Sequence, residues 1–281
     1  MHAHGRTCPA CGFKSNAVLD VLKANGYTDG EELEVVLLNG EGDQPTIRSM
    51  AQQLAEDNYD LILAVATPAA QAMANATKDV PILITAVTDP VGAGLVESLD
   101  KPNTNVTGTS DYVSIETQLD MVREIMPDLQ RLGVIYNSGE ENSVVQIDTV
   151  KAYAETNGLT VVESTPTNSS EVLQALIGRV DAIYVPTDNT VVSALEAVIK
   201  VCNDEQIPLF PGEGDSVERG CIATAGVNYY KLGEQTGKQA LKVIEGTKPG
   251  DIPVEIQENV SVIVNLKAAK AQGIELPKSV L

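Results

Sequence analysis

The stretch DAIYVPTDN, from Asp181 to Asn189, is a run of β-forming residues that stops at a proline, a hydroxyl, a carboxylate and an amide. A segment with apolar residues at helical spacing, TVVSALEAVIKVC, follows at once. The same construction occurs earlier in DLILAVATPAAQAMA, from Asp60 to Ala74, where a strand leads through Ala-Thr-Pro into a helix. Both stretches predict a buried strand followed directly by a helix, which is the repeating unit of a parallel α/β sheet.

This alternation of strand and helix continues along almost the whole chain. The predicted helices span residues 17–25, 45–56, 68–76, 115–126, 143–157, 169–177, 191–204 and 229–245. The predicted strands span residues 33–38, 60–66, 81–85, 131–136, 160–164, 181–185 and 208–210, with shorter ones near residues 106, 254 and 260–264. The pattern favours an α/β fold rather than an all-α or all-β one.

The two halves of the pattern repeat each other. In the first half, strand, Thr-Pro and helix lead to VPIL and then TAVTDP, and in the second half strand, PTDN and helix lead to IPLF and then PGEGD. We therefore predict two doubly wound parallel-sheet lobes joined by a hinge. Lobe 1 would comprise residues 1–110 plus 227–249, and lobe 2 residues 111–226 plus 250–281. The chain would cross between them near residues 109–114 and near Val227.

Composition narrows the class of partner. The 281 residues include no Trp, two Phe and eight Tyr, so a core must be built mainly from Val, Ile, Leu and Ala. A net charge of −20 disfavours binding to nucleic acid and to anionic lipid. No apolar run reaches the roughly 18 residues of a membrane span, and MHAHGRTCPACGFKSN lacks the apolar middle of a signal peptide, so no export signal is expected.

The four cysteines fall into two pairs. Cys202 and Cys221 lie in apolar segments, which predicts small buried side chains. Cys8 and Cys11 form CPAC, with His2 and His4 just upstream, and this leaves open a metal site, a redox pair or an irregular terminus. Residues 1–16 hold few β-formers, so we expect them to be irregular and lobe 1 to be the less stable half.

Polar residues gather at the carboxyl ends of the predicted strands in both halves. Because ligands of open parallel sheets bind beyond those ends, where helix N-termini also point, we expect a polar cleft between the lobes. The residues at these ends are Thr67, Pro68, Thr85, Ala86, Val87, Thr88, Asp89, Asn137, Ser138, Asn142, Ser143, Thr187, Asp188, Asn189 and Glu213.

Several of these residues also have a purely local explanation. Thr67, Asn142, Ser143, Asp188 and Asn189 could cap the helices that follow them, and Thr88–Asp89–Pro90 is a common turn sequence. The two His residues both lie near the N-terminus, so a nucleophile in the folded body would have no imidazole base. The sequence therefore favours binding without catalysis, with no cofactor and no metal.

Several stretches resemble one family in particular. They are ATPAAQAMANATKDVPILITAVTDPVGAGLV, VTGTSDY, VIYNSGEENS, AIYVPTDNTV and VNYYKLGEQTGKQALKVIEG, and the similarity runs from about Asn25 to the C-terminus. They look like the substrate-binding proteins of ABC transporters, in the branch linked to tryptophan and tyrosine uptake. The resemblance implies a type I periplasmic-binding fold, an extracytoplasmic location, an ABC permease as partner, and an aromatic or hydrophobic amino acid as ligand.

The resemblance also implies roles for single residues. Thr67, with the helix start behind it, and the strand end from Thr85 to Val87 would receive the ligand carboxylate. Asp188 would pair with the ammonium group, Asn142 and Ser143 would contribute from the second lobe, and Glu213 would lie at the rim. The chain departs from the family at its front, where MHAHGRTCPACGFKSN replaces a leader, a lipid-modified Cys and a first strand.

Two other classes of function use similar folds. A ligand-sensing regulatory module would normally carry a DNA-binding or signalling domain, and no such segment is evident in the sequence. An α/β enzyme acting on an amide or a sugar would lack a base in the folded body. Binding of an amino acid for transport remains the favoured prediction.

Overall fold

The computed structural model describes residues 9–57, 59–165, 175–257 and 260–281, with side chains from Ser15 onward. The chain forms two compact units. Unit 1 comprises Met1–Tyr112 and Asn228–Glu258, and unit 2 comprises Val113–Val227 and Asn259–Leu281. Residues 250–258, which the sequence assigned to lobe 2, therefore lie in unit 1.

The elements in chain order are as follows. The helices are α1 Pro9–Ala24, α2 Gln44–Glu56, α3 Thr67–Ala76, α4 Ile115–Ile125, α5 Glu141–Asn157, α6 Asn189–Ser193, α7 Leu195–Asp204, α8 Gly214–Arg219, α9 Tyr229–Ile244 and α10 Leu266–Ala271. The strands are β1 Ile62–Val65, β2 Ile82–Thr85, β3 Val106–Ser110, β4 Arg131–Ile135, β5 Thr160–Ser164, β6 Ala182–Val185, β7 Leu209–Pro211, β8 Ala223–Gly226, β9 Glu255–Ile256 and β10 Ser261–Val264.

Each unit is built on a parallel sheet. In unit 1 the strand order is β1-β2-β3-β9, and in unit 2 it is β5-β4-β6-β7, with every pair parallel. A separate antiparallel pair, β8 with β10, completes unit 2. Because parallel strands point the same way, the carboxyl ends within each sheet meet at one edge.

Both faces of the unit 1 sheet are covered, which explains why β1 and β2 are almost continuously apolar. Ile82 and Ile84 of β2 belong to a buried cluster that includes Met73 of α3. Leu83, which points to the other face, lies in a cluster with Leu22 of α1 and Ala240 of α9. Strands buried on both sides need apolar side chains at successive positions, as the sequence pattern predicted.

The predicted strand at residues 33–38 is wrong. These residues have no regular structure apart from one isolated bridge between Asp29 and Leu33, and Val36, Leu37 and Leu38 are exposed, Leu37 by 46%. Within the described residues, β1 pairs only with β2, so no strand flanks its outer edge. A β-forming segment becomes a strand only when a partner supplies the ladder of hydrogen bonds, and here no described strand does.

The N-terminal prediction needs a correction as well. Residues 9–16 were expected to be irregular, but they form the first half of α1, whose later residues pack against α9 through Val18 and Leu22. Helix formation is cooperative, so a packed C-terminal half extends a helix backwards through residues with weak preferences of their own. Residues 1–8, with His2, His4 and Cys8, and the side chain of Cys11 lie outside the described part.

Smaller differences concern helix ends. The predicted helix 191–204 is divided at Ala194 into α6 and α7, and the predicted helix 169–177 lies mostly outside the described residues. The short helices α8 and α10 were not predicted. The Gly158 stop is confirmed: it caps α5 in the left-handed conformation, with φ of 70°.

Candidate functional site

The carboxyl ends of β1 and β2 hold two residues with unusual backbone angles. Ala66 has φ of 71° and Ala86 has φ of 55°, a region that non-glycine residues seldom adopt. The two strand ends are neighbours, since Val65 pairs with Thr85 and the Ala66 N–H donates to the Thr85 carbonyl at 3.0 Å. Such strain costs about 1–3 kcal/mol per residue and clusters at ligand-binding sites.

The helix that begins at this edge is not capped. Ala66 is its N-cap residue and has no side-chain hydrogen bond, so Thr67, predicted as the cap, is instead the first helical residue, and it is buried. The N–H groups in the first turn of a helix have no intrahelical acceptors. Since Pro68 has no N–H, the two such groups at the start of α3 are those of Thr67 and Ala69. With the helix dipole, these groups make the start of α3 suited to an anion.

Thr85 uses its side chain inside the protein. Its hydroxyl lies 3.3 Å from that of Thr109 and 3.1 Å from that of Thr236, which are themselves 2.8 Å apart. All three residues are fully buried, as are Ala86 and Val87 just beyond the strand. At this strand end the groups suited to a ligand are therefore those of the backbone.

The loops after β2 and β3 are tied together by buried polar groups. Thr88 Oγ1 donates to Asp111 Oδ1 at 3.0 Å, and Ser110 Oγ donates to the Thr88 carbonyl at 3.0 Å. Asp89 is partly exposed and accepts from the Gly92 N–H at 2.9 Å, which closes a turn. The two loops form one fixed edge beside the start of α3.

In unit 2, Asp188 organises the corresponding edge. It is fully buried at the N-cap of α6 and accepts from the Val191 N–H (2.7 Å), the Asn137 N–H (2.6 Å) and Ser143 Oγ (2.7 Å). Burial raises the pKa of Asp188, and the nearby Glu140 carboxylate raises it further. The capping explanation of Asp188 is thus seen directly, together with two contacts from other parts of the chain.

Glu140 is a residue that the sequence did not single out. It is buried and accepts from the N–H groups of Asn189 and Thr190, both at 2.9 Å, as well as from their side chains. It lies in the loop between β4 and α5, and a charged residue in a loop carries no signal that marks it as buried. Two adjacent buried carboxylates therefore hold the start of α6.

Asn142 and Thr187 meet at the same edge. Asn142 Nδ2 donates to the Thr187 carbonyl at 2.7 Å, and Gln146 Nε2, also missed by the sequence, donates to Thr187 Oγ1 at 2.7 Å. Asn142 and Ser143 lie inside the first turn of α5 rather than before it, so neither caps that helix. The buried Asn142 Oδ1 has no hydrogen-bond partner among the described residues.

The last two predicted residues follow other strands of the same sheet, Ser138 after β4 and Glu213 after β7. Glu213 is the buried N-cap of α8 and accepts from the N–H groups of Asp215 (2.7 Å) and Ser216 (3.0 Å). Ser138 is exposed in the loop after β4. The capping of α8 gives Glu213 a structural role that the sequence did not predict.

Residues 8–281 match the family of ABC transporter substrate binding proteins. The chain belongs to this family. The predicted family and fold class are therefore confirmed, and the family is one of solute-binding proteins. In the described residues, no helix is both long and apolar enough to cross a membrane, and no three His, Cys, Asp or Glu side chains are grouped to hold a metal ion.

Three similar proteins, two of them compared as solved structures, are 36–45% identical to this chain. A protein described as a tyrosine-binding protein, from Clostridioides difficile, is 45% identical over 95% of this chain and 78% of its own length. A crystal structure from Streptococcus pneumonia, in complex with L-Trp, is 36% identical with a TM-score of 0.92, covering 98% of this chain and 94% of the other. A conserved domain protein from Vibrio cholerae is 38% identical with a TM-score of 0.93, covering 97% and 93%.

Proposed function

We propose that this substrate-binding protein takes up an aromatic amino acid, with tryptophan and tyrosine as the first candidates. The observation that carries the proposal is the uncapped N-terminus of α3 beside the strained strand ends at Ala66 and Ala86. A zwitterionic ligand needs donors for its carboxylate, and the N–H groups of Thr67 and Ala69 are placed to donate. The tyrosine-binding and L-Trp-bound relatives support an aromatic side chain.

Unit 2, taken by itself, offers two candidate acceptors for an ammonium group. Asp188 carries the charge, but three donors already surround its carboxylate. Asn142 Oδ1 retains unused acceptor capacity, and burial makes an unused acceptor costly, by about 1–3 kcal/mol. We therefore assign the ammonium contact to Asn142 and a supporting role to Asp188, which holds the strand end in place.

The test uses ligands that lack one charged group each. Because the chain contains no Trp, the emission of a bound indole can be followed without background from tryptophan in the protein. L-Trp should bind. Tryptamine lacks the carboxylate and should bind about 10- to 100-fold more weakly than L-Trp. Indole-3-propionate lacks the ammonium group and should also bind more weakly than L-Trp. L-Leu serves as the control for the aromatic ring. Binding of tryptamine as tight as that of L-Trp would contradict the carboxylate site at α3.

The family also supports a cellular context for this binding. We propose that the protein delivers its ligand to an ABC permease and acts on the extracytoplasmic side of the membrane, as an importer requires. Fractionation of cells that express the natural gene, with detection by antibody, tests the location. Recovery only with cytoplasmic proteins would count against it.

A further inference from the structure

One aromatic side chain at the binding edge of unit 1 is exposed without an evident structural reason. Tyr112 follows β3 and is 43% exposed, whereas all its neighbours in residues 106–113 are buried. No described residue accepts a hydrogen bond from its hydroxyl. A substantial part of the Tyr112 side chain is therefore accessible for contact with a ligand.

The backbone that carries this ring is held firmly. The Tyr112 N–H donates to Ser110 Oγ at 3.1 Å, and the same hydroxyl donates to the Thr88 carbonyl at 3.0 Å. On the adjacent residue, Asp111 accepts from Thr88 Oγ1 and from the Tyr229 hydroxyl, each at 3.0 Å. Hydrogen bonds therefore fix the backbone of Tyr112 and the two residues before it. A residue that contacts a ligand in a preorganised site is supported in this way.

Tyr112 follows a strand of the same sheet whose edge carries the proposed carboxylate site. Thr88 ties the end of β3 to the loop after β2, which begins at the strained Ala86, and β2 lies beside β1 and the start of α3. Val91, in the same loop, is a second exposed apolar side chain. Two exposed side chains, Val91 after β2 and Tyr112 after β3, thus follow strands of the sheet whose edge carries the N–H groups suited to a carboxylate.

We propose that the ring of Tyr112 stacks on the aromatic side chain of the ligand and is a specificity-determining residue of this protein. This inference rests on the proposed function, because it concerns the same site. Offset stacking stabilises an aromatic pair beyond the effect of apolar burial alone, and an aliphatic ligand cannot gain it. Tyr112 would therefore favour aromatic over aliphatic amino acids.

A matched control is available in Tyr230. It is exposed to almost the same degree, 42%, but it lies on α9 and its hydroxyl donates to Asp20 at 2.8 Å. The variants Tyr112→Ala, Tyr112→Leu and Tyr112→Phe, with Tyr230→Ala as the control, would be titrated with L-Trp by following indole emission. Unfolding in urea, measured on each variant, verifies that all are folded.

The variants distinguish a contribution of the aromatic ring of Tyr112 from a contribution of its apolar volume alone. Tyr112→Ala and Tyr112→Leu should each weaken L-Trp binding by about 10-fold or more, Tyr112→Phe by no more than about 3-fold, and Tyr230→Ala not at all. If the wild-type protein binds no aromatic amino acid, the proposed function fails and this inference falls with it. If the wild type binds L-Trp and either Tyr112→Leu binds equally well or Tyr230→Ala is equally impaired, the stacking role alone is overturned.

Discussion

Replacing Asp188 with Ala separates the structural role of this carboxylate from a role in ligand binding. The change removes the acceptor for three donors, the N–H groups of Val191 and Asn137 and the hydroxyl of Ser143. Each buried donor left without a partner costs about 1–3 kcal/mol. The loss of the N-cap, which costs about 0.5–2 kcal/mol when measured alone, is part of the same sum.

Part of this cost is offset, because burial and Glu140 already raise the pKa of Asp188 and so disfavour its charged form. We expect a net loss of about 3 kcal/mol in the free energy of unfolding of unit 2. A loss of this size lowers the melting temperature by about 6–12 °C for a unit of this length. The measurement is urea unfolding followed by far-ultraviolet circular dichroism, together with a thermal scan.

The control for this change is Asp204→Ala. Asp204 pairs with Lys200 on the surface, where both side chains are more than half exposed, so its loss should cost less than about 1 kcal/mol. Ordinary surface substitutions change the free energy of unfolding by no more than about 0.5 kcal/mol. If Asp188→Ala changes it by no more than that, the structural role assigned to the Asp188 carboxylate is refuted. If that stable variant has also lost L-Trp affinity by 2–5 kcal/mol, Asp188 rather than Asn142 pairs with the ammonium group.

Three further outcomes follow from individual contacts. Gly108→Ala should destabilise unit 1 by at least about 2 kcal/mol in urea unfolding. The φ of Gly108 is +144°, and a Cβ at this position would lie 2.0 Å from the Ile84 carbonyl oxygen. An unchanged urea midpoint would contradict this expectation. The hydrogen bond from Arg131 holds the pKa of Asp181 below its ordinary 3.8, so the stabilisation from this pair is present above that pH and is lost as the pH falls through the folded value. Asp181→Asn should therefore cost less than about 1 kcal/mol at pH 7 and nothing once the carboxyl is protonated, as unfolding curves from pH 7 down to pH 2 would reveal. Burial raises the pKa of Cys202 to about 12, so peptide mapping after treatment with a maleimide at pH 7 should find it unmodified in the native protein and modified in urea.

The sequence alone was sufficient for the parallel α/β architecture. The strands Ile62–Val65 and Ala182–Val185 are apolar and partly β-branched, and a helix follows each of them closely, so local preference and tertiary packing agree. The sheet edge that we propose as the binding edge could be located for the same reason. Once strands are parallel, every residue that follows a strand must lie at one edge of its sheet.

Pairing between distant segments was beyond the reach of the sequence pattern. Residues 33–38 have the composition of a strand, but their fate depends on whether a partner lies beside them. Residues 255–256 join unit 1 because they pair with β3, 146 positions earlier in the chain. Neither partner is encoded in the local spacing of apolar residues.

The roles of single polar side chains were decided by tertiary structure. Asp188 caps α6, as its position before the helix suggested, but its full burial and its contacts with Asn137 and Ser143 come from segments more than 40 residues away. Tyr112 lies where the sequence predicts a crossover between lobes, near residues 109–114, and only the fold reveals that it is exposed while the residues on either side of it are buried. Hydrophobic periodicity determines which elements form, whereas burial and hydrogen-bond partners depend on which elements become neighbours, and those are properties of the folded chain.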